Sequence, residues 1–186
     1  MVTAVSPTTT YEIRIDRNSN RIVYPVYDND FQLIGVKGRT RFKNYKALRL
    51  SKYMNYFPIG SVDYFTGMKQ AKQSIIDSGS VIITEGLKSV MKIDGWGTHN
   101  VVSSETSTLN ENQIALLIKM RLRNVIIAFD KDVGLDKIRK ATKDLKHFCN
   151  VFAVFDRRNL LDEKMSPCDK GRNVWESLLK ERIRLM

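Results

Sequence analysis

From Val81 onward the hydrophobic positions come in short unbroken runs. Val81-Ile82-Ile83-Thr84 stops at Glu85-Gly86, Val125-Ile126-Ile127-Ala128-Phe129 stops at Asp130-Lys131-Asp132, and Val151-Phe152-Ala153-Val154-Phe155 stops at Asp156. Runs this short and rich in β-branched residues read as strands buried on both faces, as in a parallel sheet. Asn100 to Ser103 adds a further strand. Between the runs, apolar residues fall at helical spacing. Met68, Ala71, Ile75 and Ile76 predict a helix over 68–77, ended by Ser78-Gly79-Ser80, and Leu87, Val90, Met91 and Ile93 predict another over 87–94. Ile114, Leu117 and Ile118 mark a helix over 111–122 capped by Asn110. Leu135, Ile138, Ala141 and Leu145 mark a basic helix over 133–147, and Val174, Leu178 and Ile183 a last one over 173–185. Strands alternating with helices predict an α/β fold, an open parallel sheet flanked by helices.

Upstream the pattern is strand-like. Arg21 to Tyr27 and Phe31 to Val36 flank Asp28-Asn29-Asp30, which is turn chemistry, so a β-hairpin is expected, with Pro25 on an edge or at a bulge. This is the start of a small α+β subdomain.

Charge sharpens the picture. The 186 residues carry a formal net charge of +11, which favours a polyanionic partner, nucleic acid first. Lys37, Arg39, Arg41, Lys43, Lys46, Arg49 and Lys52 follow one another with no acidic residue among them, and Phe42, Tyr45 and Tyr53 are interleaved. Such a run suits a single strand or hybrid duplex, whose phosphates are neutralised while bases stack. No apolar run is long enough to span a bilayer, and Met1 to Thr10 do not read as a signal peptide, so no membrane partner and a cytoplasmic location are expected. With two cysteines, Cys149 and Cys168, and two histidines, neither a zinc site nor a disulfide is expected.

In open α/β sheets ligands collect at the carboxyl ends of the strands, which would bring Glu85, Asp130 and Asp132 to one edge. Two ionised carboxylates about 5 Å apart repel by about 3 kcal/mol at an effective dielectric near 20. A hard divalent cation relieves that repulsion and bridges to phosphate. These residues are therefore a candidate Mg²⁺ or Mn²⁺ site, and Lys88, one turn beyond Glu85, is placed to approach a phosphate.

The ordered set Arg21-Ile-Val-Tyr-Pro-Val-Tyr-Asp, Gly35-Val-Lys-Gly-Arg39, Lys52-Tyr53, Val81-Ile-Ile-Thr-Glu-Gly86 and Ala128-Phe-Asp-Lys-Asp132 resembles the RNA-polymerase domain of DnaG-type bacterial and phage primases. The resemblance spans about Arg21 to Leu179, and the tail from Ser166 looks most like phage members. It implies a basic α+β subdomain followed by a TOPRIM fold, divided here into a flexible lead-in (1–10), the basic template- and NTP-binding subdomain (11–67), the TOPRIM catalytic domain (68–160) and a C-terminal loop and helix (161–186).

Carried over by position, the resemblance implies that Glu85, Asp130 and Asp132 hold two or more catalytic Mg²⁺ or Mn²⁺ ions, that Asp169 is what remains of a further acidic cluster of metal ligands, and that Arg39, Lys52 and Arg21 contact template or nucleotide phosphates. Ser89 stands where the family has Asp, and Lys131 where it has Gly, a cation beside the site. The implied activity is DNA-directed RNA polymerase (primase) synthesis of short RNA primers on single-stranded DNA. The implied partners are that template, NTPs, the RNA–DNA hybrid, a replicative helicase and a separate zinc-binding module, in a bacterial or phage-infected cell. A TOPRIM nuclease or topoisomerase fragment uses the same carboxylates. All the tyrosines, however, lie between Tyr11 and Tyr64, upstream of the predicted sheet, where none serves as a topoisomerase nucleophile. A catalytically weak single-strand binding module is the alternative of a different class.

Overall fold

A computed structural model describes residues 10–61 and 63–185. The expected lead-in therefore lies, apart from Thr10, outside the described residues. The chain divides into two compact units, Met1–Val62 and Asp63–Met186.

In the first unit β1 (Arg14–Asp16), β2 (Arg21–Tyr27), β3 (Leu33–Thr40) and β4 (Tyr53–Asn55) form an antiparallel sheet in the order β1-β2-β3-β4. The expected hairpin is β2–β3, and its turn is closed by Asp28 Oδ1, which accepts from the amides of Asp30 and Gln32 at 2.9 Å. Pro25 pairs with Val36, while β1 reaches no further than Val23, so the missing N–H faces a side with no strand neighbour. The ladder bulges immediately afterwards, between Val26 and Tyr27. Gly38 has a packing reason. A Cβ there would lie 2.7 Å from the Tyr56 ring, which crosses β3 so that its hydroxyl donates to Asp16 Oδ2 on β1 at 2.5 Å.

In the second unit the strands are β5 (Ser80–Thr84), β6 (Val101–Ser103), β7 (Asn124–Ala128), β8 (Asn150–Ala153) and β9 (Ile183–Leu185), in the order β6-β5-β7-β8-β9. The first four are parallel. The helices are α1 (Met68–Ser78), α2 (Leu87–Gly95), α3 (Glu111–Lys119), α4 (Leu135–Ala141) and α5 (Arg172–Lys180). Central strands are buried on both faces, with Ile83 and Ile127 wholly inaccessible, and each such side chain contributes about 2–3 kcal/mol through burial.

Three expected helices are shorter than the apolar spacing suggested. The last one ends at Lys180, and Ile183–Leu185 is instead a strand antiparallel to β8. Its residues alternate, with Arg184 exposed between Ile183 and a buried Leu185, and the open edge of β8 supplies the hydrogen bonds. The basic helix stops at Ala141, where the Thr142 hydroxyl turns back to the Ile138 carbonyl at 2.8 Å, and only a 3-10 turn, Leu145–His147, follows. The helix begun by Asn110 is capped as expected, by a reciprocal box with Gln113, but ends at Lys119 before a left-handed Arg121 (φ 51).

The strand order places a topological switch point at the middle of this sheet. From β5 the chain crosses to β6 on one side, then back past β5 to β7 on the other. The connections that leave the carboxyl ends of β5, to β6, and of β7, to β8, run in opposite directions, and the crevice between them is where such sheets bind ligands.

Candidate active site at the carboxyl edge

Glu85 and Asp130 arrive at that crevice because of register. Thr84 of β5 is level with Ala128 of β7, so Glu85 follows one residue beyond the ladder and Asp130 two. Thr84 is fully buried, and its hydroxyl is within 3.3 Å of both the Gly86 and Val102 carbonyls, which fixes the chain as it leaves β5. Gly86 then precedes α2 in an extended conformation (φ −150°) that any residue adopts. The Glu85 carboxylate turns toward β7, where Oε1 accepts the Asp130 amide at 2.8 Å. The turn after β7 is closed by the Val133 amide on the Asp130 carbonyl at 3.0 Å.

Glu85 is half-buried, and its carboxyl is raised above the usual range. Burial is the main cause and the charge of Asp132 adds to it, while the Asp130 amide opposes both. Asp132 itself is exposed. Among the described residues no three Asp, Glu, His or Cys side chains are gathered closely enough to hold a metal ion. The expected carboxylate set is thus neighbouring but not closed into a cage. An under-neutralised carboxylate beside a second one nevertheless fits Mg²⁺ or Mn²⁺ in an open site completed by water and phosphate.

The remaining expected site residues fall into two groups. In the first unit, Lys52 Nζ lies 5.7 Å and the Arg39 guanidinium 5.9 Å from the centre of the Tyr53 ring, which is 49% exposed, so two cations lie against one accessible aromatic ring. Arg21 is different. It is 5% exposed, and its guanidinium donates to the carbonyls of Ser51 (3.0 Å) and Gly38 (3.5 Å). The guanidinium is thus set against the backbone of the basic loop, with one donor on each of those carbonyls.

In the second unit Lys88 and Lys92, successive turns of α2, both donate to Asp169 Oδ1, at 2.8 and 2.6 Å, and Asp169 Oδ2 accepts the Ser166 amide at 3.3 Å. Burial would raise the Asp169 carboxyl, but the two lysines outweigh it and hold it down at about 2. The structure therefore places Lys88 and Asp169 in a pair that holds the 166–169 loop on α2. Ser89 continues that contact through a buried hydroxyl pair with Ser166, 2.9 Å apart. Lys131 is likewise paired within the protein. Its ammonium donates to Asn159 and to the Leu161 carbonyl and lies 3.6 Å from Asp156. Lys92, Ser166 and Asp156 were not foreseen, since pairing across so many residues leaves no local pattern.

No family model matches the chain. Together, the switch-point crevice, its carboxylates and the preceding antiparallel sheet define a TOPRIM-type α/β fold. Two relatives are informative. The DNA primase of Clostridium acetobutylicum is 30% identical over 139 residues, covering 70% of this chain and 23% of the primase. The SPbeta prophage-derived uncharacterized protein YorJ of Bacillus subtilis is 27% identical over 195 residues, covering 88% of this chain and 50% of YorJ. Among solved structures, the zinc-binding and RNA polymerase domains of Aquifex aeolicus primase match with a TM-score of 0.71 at 25% identity, covering 89% of this chain and 41% of that one. A DnaG primase catalytic domain bound to ssDNA matches with a TM-score of 0.69 at 19% identity, covering 95% and 60%. The chain's homologues include DNA primases of the DnaG type as well as the prophage protein, and its fold is that of the primase catalytic core. The chain spans half the length of the prophage relative and 23% of the Clostridium primase. No helix among the described residues is long and apolar enough to cross a membrane.

Proposed function

We propose that this chain is a primase catalytic core that joins ribonucleotides into short RNA primers on a single-stranded DNA template, with Glu85, Asp130 and Asp132 as the catalytic carboxylates. The observation that carries this reading is the Glu85–Asp130 contact at the switch point, 2.8 Å across two strands, with Asp132 pressing on the same carboxyl. Bound Mg²⁺ or Mn²⁺ ions would lower the pKa of the primer 3′-hydroxyl and neutralise the triphosphate. Glu85, Asp130 and Asp132 would hold them. Arg39 and Lys52 would neutralise template or nucleotide phosphates, and the Tyr53 ring offers a face on which a base stacks. No side chain is needed as general base. A replicative helicase and a separate zinc-binding module complete the proposed set of partners.

The second reading, a single-strand binding module with little catalysis, is favoured by the open arrangement of the carboxylates. A TOPRIM nuclease is the third. Incubation of the protein with single-stranded DNA, Mn²⁺ and labelled NTPs separates them. Extended product that disappears in Asp130→Asn and Asp132→Asn, with circular dichroism unchanged, supports priming. Shortened template supports a nuclease, and retention of DNA without product supports the binding module.

A further inference from the structure

The opposite edge of the same parallel sheet carries chemistry that the carboxylate site does not use. An open groove of about 790 Å³ lies where β7 and β8 begin and β9 ends, since Leu185 is level with Val151. Arg123, Lys146, His147 and Arg184 line it, and none of its lining residues is acidic. Phe148 sits among them, 61% exposed. A smaller hollow of about 140 Å³ continues past Lys146 and brings in Lys143.

The two arginines are held in place. The Arg123 guanidinium donates to the Ser78 carbonyl at 3.1 Å, and that of Arg184 to Asn150 Oδ1 at 2.7 Å. Each guanidinium has five N–H donors, so most remain for an incoming anion. Like charges lining one concave surface focus the field and attract a polyanion. A ring exposed among them adds a stacking face, and that combination binds single-stranded nucleic acid, whose phosphates and bases alternate along one groove. An acidic peptide would satisfy the cations but leave the Phe148 face unused.

We infer that the amino edge of the sheet, built on Arg123, Lys146, Phe148 and Arg184, is a second binding surface for single-stranded nucleic acid, on the edge opposite the carboxylates. It goes beyond the primase reading and does not depend on it, because binding here needs neither metal nor Glu85. The test uses the full chain carrying Arg39→Ala and Lys52→Ala, so that the first unit contributes less, and measures binding of a fluorescent oligothymidylate by anisotropy across a salt series.

Lys146→Glu with Arg184→Glu is expected to weaken binding at least about tenfold and to flatten the salt dependence by about 1.4, two contacts at about 0.7 each. Phe148→Ala is expected to weaken it at least about fivefold without changing that slope. Ultraviolet cross-linking should place Phe148 in the labelled peptide. Lys146→Glu alone, on an exposed turn, serves where the charge-reversed strand does not fold, with about a threefold loss expected. Unchanged affinity in all three variants, or cross-links confined to the first unit, overturns the inference. So does preferential binding of oligoglutamate that ignores Phe148→Ala.

Discussion

Glu85 and Asp169 are acidic side chains of the same α/β unit, each partly buried, and their surroundings push them in opposite directions. Asp169 is gripped by Lys88 and Lys92 and stays ionised far into acid, at about 2. Asp156 behaves like it. Its side chain is only 2% exposed, and burial is overcome by the amides of Leu160 and Leu161 and by Lys131, which together hold it below the usual carboxylate range. Glu85 is raised, because burial and the nearby Asp132 charge outweigh the one amide that binds it and the more distant pull of Lys137. Carboxylates that fasten loops are neutralised by the protein itself. The carboxylate left under-neutralised is the one at the switch point, and its unmet charge is what a divalent cation would supply.

The difference can be broken in several places. The largest effect is expected on synthesis. Asp130→Asn and Asp132→Asn should each lower the initial rate of dinucleotide formation about 10³-fold or more, a loss of about 4 kcal/mol of transition-state stabilisation. Residual rates near wild type in both would remove the carboxylates from the chemistry.

Next is Asp156→Ala, which leaves two partly buried amides without an acceptor and removes the charge beside Lys131. Urea titration should show a loss of about 2–4 kcal/mol at pH 7. Because the folded carboxyl is held below its unfolded value, the Asp156 contribution is present at neutral pH and is lost as pH falls through the folded value.

Asp169→Asn should cost less, about 1–2 kcal/mol, because Lys88 is half-exposed and water screens the pair. The wild-type advantage should be full above 3.8 and shrink as pH falls toward about 2. A gap that persists at pH 2 would show that packing, not charge, fastens this loop.

Glu85→Gln reverses the sign. A raised carboxyl penalises the folded state once ionised, and the penalty grows as pH rises from the ordinary value of 4.5 through the folded one. At pH 7 the variant should therefore be the more stable of the two, since glutamine can still accept the Asp130 amide. It should also lose any rise in Tm that Mg²⁺ gives the wild type. Smallest of all, Glu176→Ala removes an exposed pair with Arg172 on α5 and should shift stability by less than about 0.5 kcal/mol.

Much of this was legible in the amino-acid order. β5 and β7 announce themselves because they are buried on both faces, so their runs are unbroken and end where the chain meets polar residues, at Glu85 and Asp130. Asp28 closes its hairpin by local hydrogen bonds, which depend only on near neighbours. The misread segments are those where local preference was nearly balanced. Ile183 and Leu185 suit a helix or a strand, and the free edge of β8 decided for the strand. Thr142 ended α4 through its own hydroxyl, against a stripe that continued to Leu145.

Residue type and spacing by themselves determined the buried strands β5, β7 and β8, the carboxylates that follow β5 and β7 and the basic run of the first unit, because burial and charge act on each segment wherever it lies. The pairings were settled only by the folded chain. Arg21 was drawn onto the Ser51 and Gly38 carbonyls, Asp169 onto two lysines, Lys131 onto Asp156, and Arg123, Phe148 and Arg184 onto one groove. Each joins residues distant in sequence, and whether a charge is spent within the protein or left for a ligand depends on what the fold sets within hydrogen-bonding reach.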